Sequence, residues 1–211
     1  MVPIGTDRHS VTTVMTGQCD MSREIELFLE AYPSVSMIEA LITDCNGVAR
    51  GKLVPRAKLQ SVTKNGLKLP KSALSLDIWG RDIPELAFAN GDIDGYCRVV
   101  EGSLRPMRTA RGLDQGQLLI TMYDENHEPF MGDPRQVLAS MVRRFNARGL
   151  RPCMAAELEF SLLPDPGADR PLSHALRGQA SVAGNLYALE ELDKHADMLE
   201  ALREAFEIQG L

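Results

Sequence analysis

Aromatic side chains are scarce in this 211-residue chain, at 5% with a single tryptophan. Basic residues are outnumbered, 23 Lys and Arg against 29 Asp and Glu, and the formal net charge of -6 argues against nucleic acid or an anionic membrane as a main partner. Long apolar runs are also lacking. Nothing approaches the ~20 residues of a membrane helix, and the first twenty residues mix Asp7, Arg8, His9 and several threonines instead of forming a signal peptide. Cytoplasm is the expected compartment. The four cysteines, Cys19, Cys45, Cys97 and Cys153, are too isolated for a zinc ribbon or a disulfide framework and read as reduced thiols. His9, His127 and His174 show no metal spacing, and His195 reads as a packed or interface residue. A phosphate-cradling loop is missing as well, since Gly112-Leu113-Asp114-Gln115-Gly116 has no Lys-Ser/Thr after it.

What is present can build a core: 44% of the residues are apolar and 25% charged, which suits one large or two small domains, and the order of expected helices and strands places the chain in the α+β class. Residues 1–21 lack periodicity and read as a flexible arm. Ser22 then suits the N-cap of a helix that turns Ile25, Phe28, Leu29 and Tyr32 inward and stops at Pro33. Residues 36–43 and 48–54 read as a hairpin, because Asn46 and Gly47 between them both tolerate positive φ. A short helix is expected within 55–69, strands at 73–78, 95–100 and 117–123, and a turn at Asp124-Glu125-Asn126. Together these make a mixed sheet with a helix packed on it, up to about Phe130. Arg105, Arg108 and Arg111 read as a solvated loop.

A boundary falls at Gly132-Asp133-Pro134-Arg135. Asp133 can cap a helix, Pro134 suits its first position, and Val137, Leu138, Met141, Val142 and Phe145 keep a helical stripe up to Gly149. Arg143, Arg144 and Arg148 near its end oppose the helix dipole. Residues 164–183, rich in Pro, Gly, Ala and Ser, read as a loop that is a lid, an insertion or disordered. Leu189, Leu192, His195, Leu199, Leu202 and Phe206 then recur at helical spacing, with Gly210 as the cap.

Between these helices lies a short apolar run, 153–163, that carries Glu157 and Glu159. As a strand it sends both carboxylates to one face and Leu158 and Phe160 to the other. Two like charges in an apolar neighbourhood call for a cation, and magnesium or manganese suits carboxylate oxygens where no His or Cys cluster competes. The alternative is an edge strand that shows both glutamates to water.

Taken in order, Asp44-Cys45-Asn46-Gly47-Val48-Ala49-Arg50-Gly51-Lys52, Tyr123-Asp124-Glu125-Asn126-His127-Glu128-Pro129-Phe130, Asp133-Pro134-Arg135 and Glu157-Leu158-Glu159-Phe160 resemble the glutamine synthetase superfamily. Ser75-Leu76-Asp77-Ile78-Trp79-Gly80 and Gly102-Ser103-Leu104-Arg105-Pro106 look closer to its gamma-glutamyl-polyamine synthetase branch than to the enzymes that use ammonia. The resemblance covers about residues 22–211. It implies a β-grasp N-terminal domain over 22–130 and the N-terminal part of an ATP-dependent catalytic domain over 131–211.

The resemblance further implies that Glu157 helps hold a magnesium or manganese ion nearer the nucleotide phosphates and Glu159 one nearer the amino-acid substrate. The γ-carboxylate of glutamate would attack the terminal phosphoryl of ATP, and an amine would attack the acyl phosphate to give the amide, ADP and phosphate. A ring of identical subunits with sites between them is implied too. Other features of the family are absent: its further metal acids, its Asn-Gly-x-Gly-x-His-x-His segment, its substrate and phosphate arginines and its flap glutamate. The chain is therefore expected to be an N-terminal portion that is inactive alone. The family's ammonium-binding aspartate also has no match in Leu69-Pro70-Lys71-Ser72. Asp77 is the nearest inter-subunit substitute, although capping the Ile78-Trp79-Gly80 turn is its favoured role. This departure favours a primary amine or polyamine over ammonia. Two other readings stay open: a non-catalytic β-grasp module for assembly or binding, and an unrelated metal-dependent hydrolase.

Overall fold

Met21–Ala31 form the first helix, α1, because Ile25 and Phe28 fall on one side of it and both are buried against the sheet. It begins one residue before the expected cap and ends ahead of Pro33 as expected. The structure, a computed structural model, describes residues 21–87, 91–109, 112–160, 189–193 and 195–211. Of the arm expected over residues 1–21 only Met21 is described, and it opens α1 instead, while the expected loop over 164–183 lies outside the described residues. Arg56 ties the end of α1 to the sheet by donating to the carbonyls of Leu29, Tyr32 and Val35 at 2.9, 3.1 and 3.1 Å.

Strands β1 (Met37–Thr43) and β2 (Ala49–Pro55) form the expected antiparallel hairpin. After β2 come a 3-10 turn at Arg56–Lys58 and α2 (Leu59–Asn65), which buries Leu59 and Val62. Then follow β3 (Leu67–Pro70), a 3-10 turn at Lys71–Leu74, a single helical turn α3 (Pro84–Ala87), β4 (Asp94–Val99), β5 (Arg105–Thr109) and β6 (Gly112–Tyr123). The strand expected at 73–78 is not formed. Its only pairing among the described residues is an isolated bridge between Leu76 and Asp82, and four-residue β3 takes its place beside β4. A strand that short leaves too little period to read. The arginine-rich loop expected around Arg105 is corrected too: Arg105–Thr109 is a strand on β6. Pro106 obscured it, since proline interrupts a strand pattern and is tolerated where a ladder is incomplete.

The sheet is mixed, in the order β2-β1-β6-β4-β3, with β5 also on β6. β1 and β6 are parallel and the other pairs antiparallel. Ile38, Ala40, Ile42, Val54, Leu118, Ile120 and Met122 point to one face and make the core with α1 and α2. The sheet curls until its two ends touch. Lys52 Nζ on β2 donates to the Lys68 carbonyl on β3 at 2.8 Å, and Asn46 Nδ2 donates to the Asp77 carbonyl at 2.8 Å. Cys97 lies inside this curl, where burial, and next the Asp133 charge, push its thiol up to about 12.

Helix α4 (Pro134–Asn146) has Asp133 as its cap and Pro134 in its first turn, as expected. Its apolar stripe does not lie on a following strand. Val137, Leu138, Met141 and Phe145 are 41, 59, 40 and 41% exposed. The single C-terminal helix expected from the Leu/Phe spacing is instead two, α5 (Leu189–Asp193) and α6 (Ala196–Gln209), with His195 at the cap position of the second. α6 rests on β5: Gln209 Nε2 donates to the Pro106 carbonyl at 3.0 Å, and Arg108 pairs with Glu204 at 2.8 Å. Gly210 ends it in the left-handed conformation, as expected.

Candidate functional site

Glu157 and Glu159 are not on a strand. Residues 151–160 have no ladder partner, and both carboxylates are exposed, as are Leu158 (82%) and Phe160 (65%). A strand exists only through hydrogen bonds to a neighbour, and no described segment pairs with this run. The expected rigid mounting, with the two acids on one sheet face, is therefore corrected. Among the described residues no three His, Cys, Asp or Glu side chains come together to hold an ion. Two exposed carboxylates fall short of the six or more oxygens such an ion takes, so these residues alone do not fit a magnesium or manganese site.

A different arrangement gathers at one end of the sheet. The same five-residue loop is built three times, at Asp44–Val48, Asp77–Arg81 and Asp124–Glu128. In each, the aspartate Oδ1 accepts two backbone N–H groups, two and four residues on: Asn46 and Val48 at 2.9 Å each, Trp79 and Arg81 at 2.8 and 2.9 Å, Asn126 and Glu128 at 2.9 and 2.8 Å. In each, the fourth residue has positive φ: Gly47 at 76°, Gly80 at 75° and His127 at 62°. Glycine suits that place because it lacks a Cβ; His127 occupies it while its ring lies 4.6 Å from that of Tyr96. The hairpin turn therefore differs from the Asn-Gly expectation, since only Gly47, not Asn46, has positive φ. The recurring signal is an aspartate three positions before the left-handed residue.

Parallel β1 and β6 put the Asp44 and Asp124 loops at the same end, and the Asn46–Asp77 hydrogen bond brings the third beside them. Asp44 is buried. Burial acts to raise its carboxyl, but hydrogen bonds from Val48 N, Arg50 and Asn46 N together with the Arg50 charge outweigh that and hold it below its ordinary value of 3.8. Lys71 and Glu125 form an ion pair from the 3-10 turn to the third loop. Asp77 has the structural role favoured from sequence, and its loop lifts two apolar side chains into solvent. Ile78 and Trp79 are 79 and 76% exposed. Nothing in the spacing of the sequence announces that exposure.

Behind the loops, the Asp133 carboxylate is fully buried and joins β6 to α4. One oxygen accepts from Thr121 Oγ1 at 2.6 Å and Met122 N at 2.9 Å, the other from Arg135 N at 2.8 Å. Gln136, also buried, donates to the Met122 carbonyl at 3.2 Å. The sequence indicates the cap; the partners on β6 emerge only from the fold.

Residues 131–211, beginning at this junction, match the family model described as glutamine synthetase, catalytic domain. Gamma-glutamylputrescine synthetase PuuA of Escherichia coli is 34% identical over 194 residues, which are 89% of this chain and 41% of that protein. A glutamine synthetase of Methanosarcina mazei is 22% identical over 187 residues, 83% of this chain and 36% of that one. The chain thus spans about two fifths of the length of these relatives. A solved structure of GmaS without ligand superposes with a TM-score of 0.58 at 21% identity, over 93% of this chain and 40% of that one. The likeness to that structure is one of fold.

Proposed function

We propose that this chain is the N-terminal part of an ATP-dependent carbon–nitrogen ligase that joins the γ-carboxylate of glutamate to an amine. A primary amine or polyamine is the preferred nucleophile over ammonia. The observation that carries this reading is the 34% identity to a gamma-glutamylputrescine synthetase across 89% of the chain. In this reading residues 22–130 are a β-grasp domain, supported by the mixed sheet with α1 and α2 on one face, and residues 131–211 open the catalytic domain. ATP phosphorylates glutamate to an acyl phosphate, and the amine displaces the phosphate. Glu157 would help hold a magnesium or manganese ion nearer the nucleotide phosphates and Glu159 one nearer the amino-acid substrate, each with further ligands from the rest of the active site, and such ions would supply charge neutralisation. The protein works as a homo-oligomer in the cytoplasm, and the Asp77 loop is the part of this domain that faces a neighbouring subunit's site.

A polypeptide of these 211 residues alone is expected to be inactive, because two exposed carboxylates hold a hard divalent ion weakly. The test supplies glutamate, ATP, magnesium and either putrescine or ammonia to the full-length protein and to the 211-residue polypeptide, and reads the γ-glutamyl amide by mass spectrometry. Product is expected from the full-length protein, with putrescine preferred, and its loss from the Glu157→Ala, Glu159→Ala double variant. Undiminished turnover in that variant would refute the metal role. Phosphate release by the 211-residue polypeptide above that of its own double variant would refute the inactivity.

A further inference from the structure

We infer that Asn46 is a modification site: its side-chain amide deamidates through the Gly47 backbone nitrogen, its hydrogen bond to the Asp77 carbonyl holds that reaction back, and completion of the reaction releases the Asp77 loop from the hairpin turn.

Asparagine followed by glycine is the pair most open to this chemistry, because the next backbone nitrogen meets no Cβ on its way to the side-chain carbonyl carbon. The sequence has three such pairs, at 46–47, 65–66 and 90–91, and Asn90 lies outside the described residues. The other two differ in their surroundings. Asn65 closes α2: Gly66 N donates to the Val62 carbonyl at 2.8 Å, Asn65 Nδ2 donates to Ser61 Oγ at 3.2 Å, and a Cβ at Gly66 would stand 2.5 Å from the Cys97 carbonyl oxygen. Helix and strand together hold the atoms that must meet. Asn46 and Gly47 are exposed, and a Cβ at Gly47 would meet nothing within 4 Å, so solvent reaches the reacting atoms. Two hydrogen bonds restrain them, from Asn46 Nδ2 to the Asp77 carbonyl at 2.8 Å and from Gly47 N to the Asp44 carbonyl at 3.1 Å. Local opening of the paired loops therefore sets the rate.

In the reaction the Gly47 nitrogen gives up its proton and bonds to Asn46 Cγ, the Cγ–Nδ2 bond breaks, and ammonia leaves with that proton. Water then opens the cyclic imide at either carbonyl, to aspartate or isoaspartate. The product has a carboxylate where the amide donated, and a carboxylate only accepts. Two acceptors then face each other at the Asp77 carbonyl, and a negative charge is added between the Asp44 and Asp77 loops. Among the described residues no other hydrogen bond or ion pair joins these two loops. The Asp77 loop keeps its own hydrogen bonds and loses its hold on the hairpin.

The experiment incubates the full-length protein at mildly alkaline pH, where the attacking nitrogen loses its proton more readily, and follows Asn46 and Asn65 separately by peptide mass spectrometry with isoaspartate detection. Asn46 is expected to convert first. Asp77→Ala removes the acceptor that shapes the loop and aligns its carbonyl, so conversion at Asn46 should speed up about fivefold, the worth of one net hydrogen bond, with Asn65 unchanged. Hydrogen exchange of the Trp79 and Arg81 amides should quicken in Asn46→Asp while the Asn126 and Glu128 amides of the third loop stay as they are. Should that variant not fold, deamidated protein separated by anion exchange gives the same reading. No conversion at Asn46 in either protein, or conversion of Asn65 ahead of it, overturns the assignment. Equal acceleration at both asparagines in Asp77→Ala, or none at Asn46, overturns the guarding role of the hydrogen bond, and unchanged exchange in Asn46→Asp overturns the release of the loop.

Discussion

Removing the Asp133 carboxylate as Asp133→Ala tests how the sheet is joined to α4. Three donors lose their acceptor at once: Thr121 Oγ1, Met122 N and Arg135 N. Loss of the cap at Arg135 is worth about 1 kcal/mol. Stranding the buried Met122 amide adds about 1–3 kcal/mol, because water does not replace the acceptor there. The Thr121 hydroxyl can rotate toward another acceptor and contributes less. The total, about 3 kcal/mol, is a large share of the 5–15 kcal/mol that holds a typical domain together. Urea unfolding of the 211-residue polypeptide reads it as a lower midpoint at constant slope. Hydrogen exchange should show the Met122 amide losing protection ahead of its neighbours on β6. Thr121→Val in the same background should add little, because the two side chains share one interaction. A loss below about 1 kcal/mol with Met122 still protected would refute the reasoning, since a buried donor stranded without water must register.

Two more changes probe the curl of the sheet and its loops. A Cβ on Gly51 would stand 1.9 Å from the Ala40 carbonyl oxygen, so Gly51→Ala should break the β1–β2 ladder and cost more than about 3 kcal/mol; an unchanged melting temperature would refute it. Asp44 has its carboxyl lowered when folded, so its contribution is complete above the unfolded value of about 4 and fades as pH falls through the lower folded value. Denaturant midpoints taken across that acid range should fall with pH in the unsubstituted chain and fall less in Asp44→Asn; equal slopes would count against the hydrogen-bonded loop.

Much of the local structure was legible in the residues, and for local reasons. The periods of α1 and α4, the Asp133-Pro134 start, the β1–β2 hairpin and the Gly210 stop each rest on neighbours within a turn or two. The ordered motifs from Asp44 to Phe160 likewise carried the family resemblance without any coordinates. Contacts between distant residues decided the rest. β3 and β5 are too short or too interrupted to read, and become strands only because β4 and β6 offer them a ladder. The approach of β2 to β3 and the burial of Asp133 against Thr121 and Met122 follow from how the sheet curls, and the exposure of Trp79 from the loop closed around Asp77. The run holding Glu157 and Glu159 makes the same point in reverse. Its composition suits a strand, yet a strand needs a partner for its backbone hydrogen bonds, and tertiary structure, not propensity, supplies or withholds that partner.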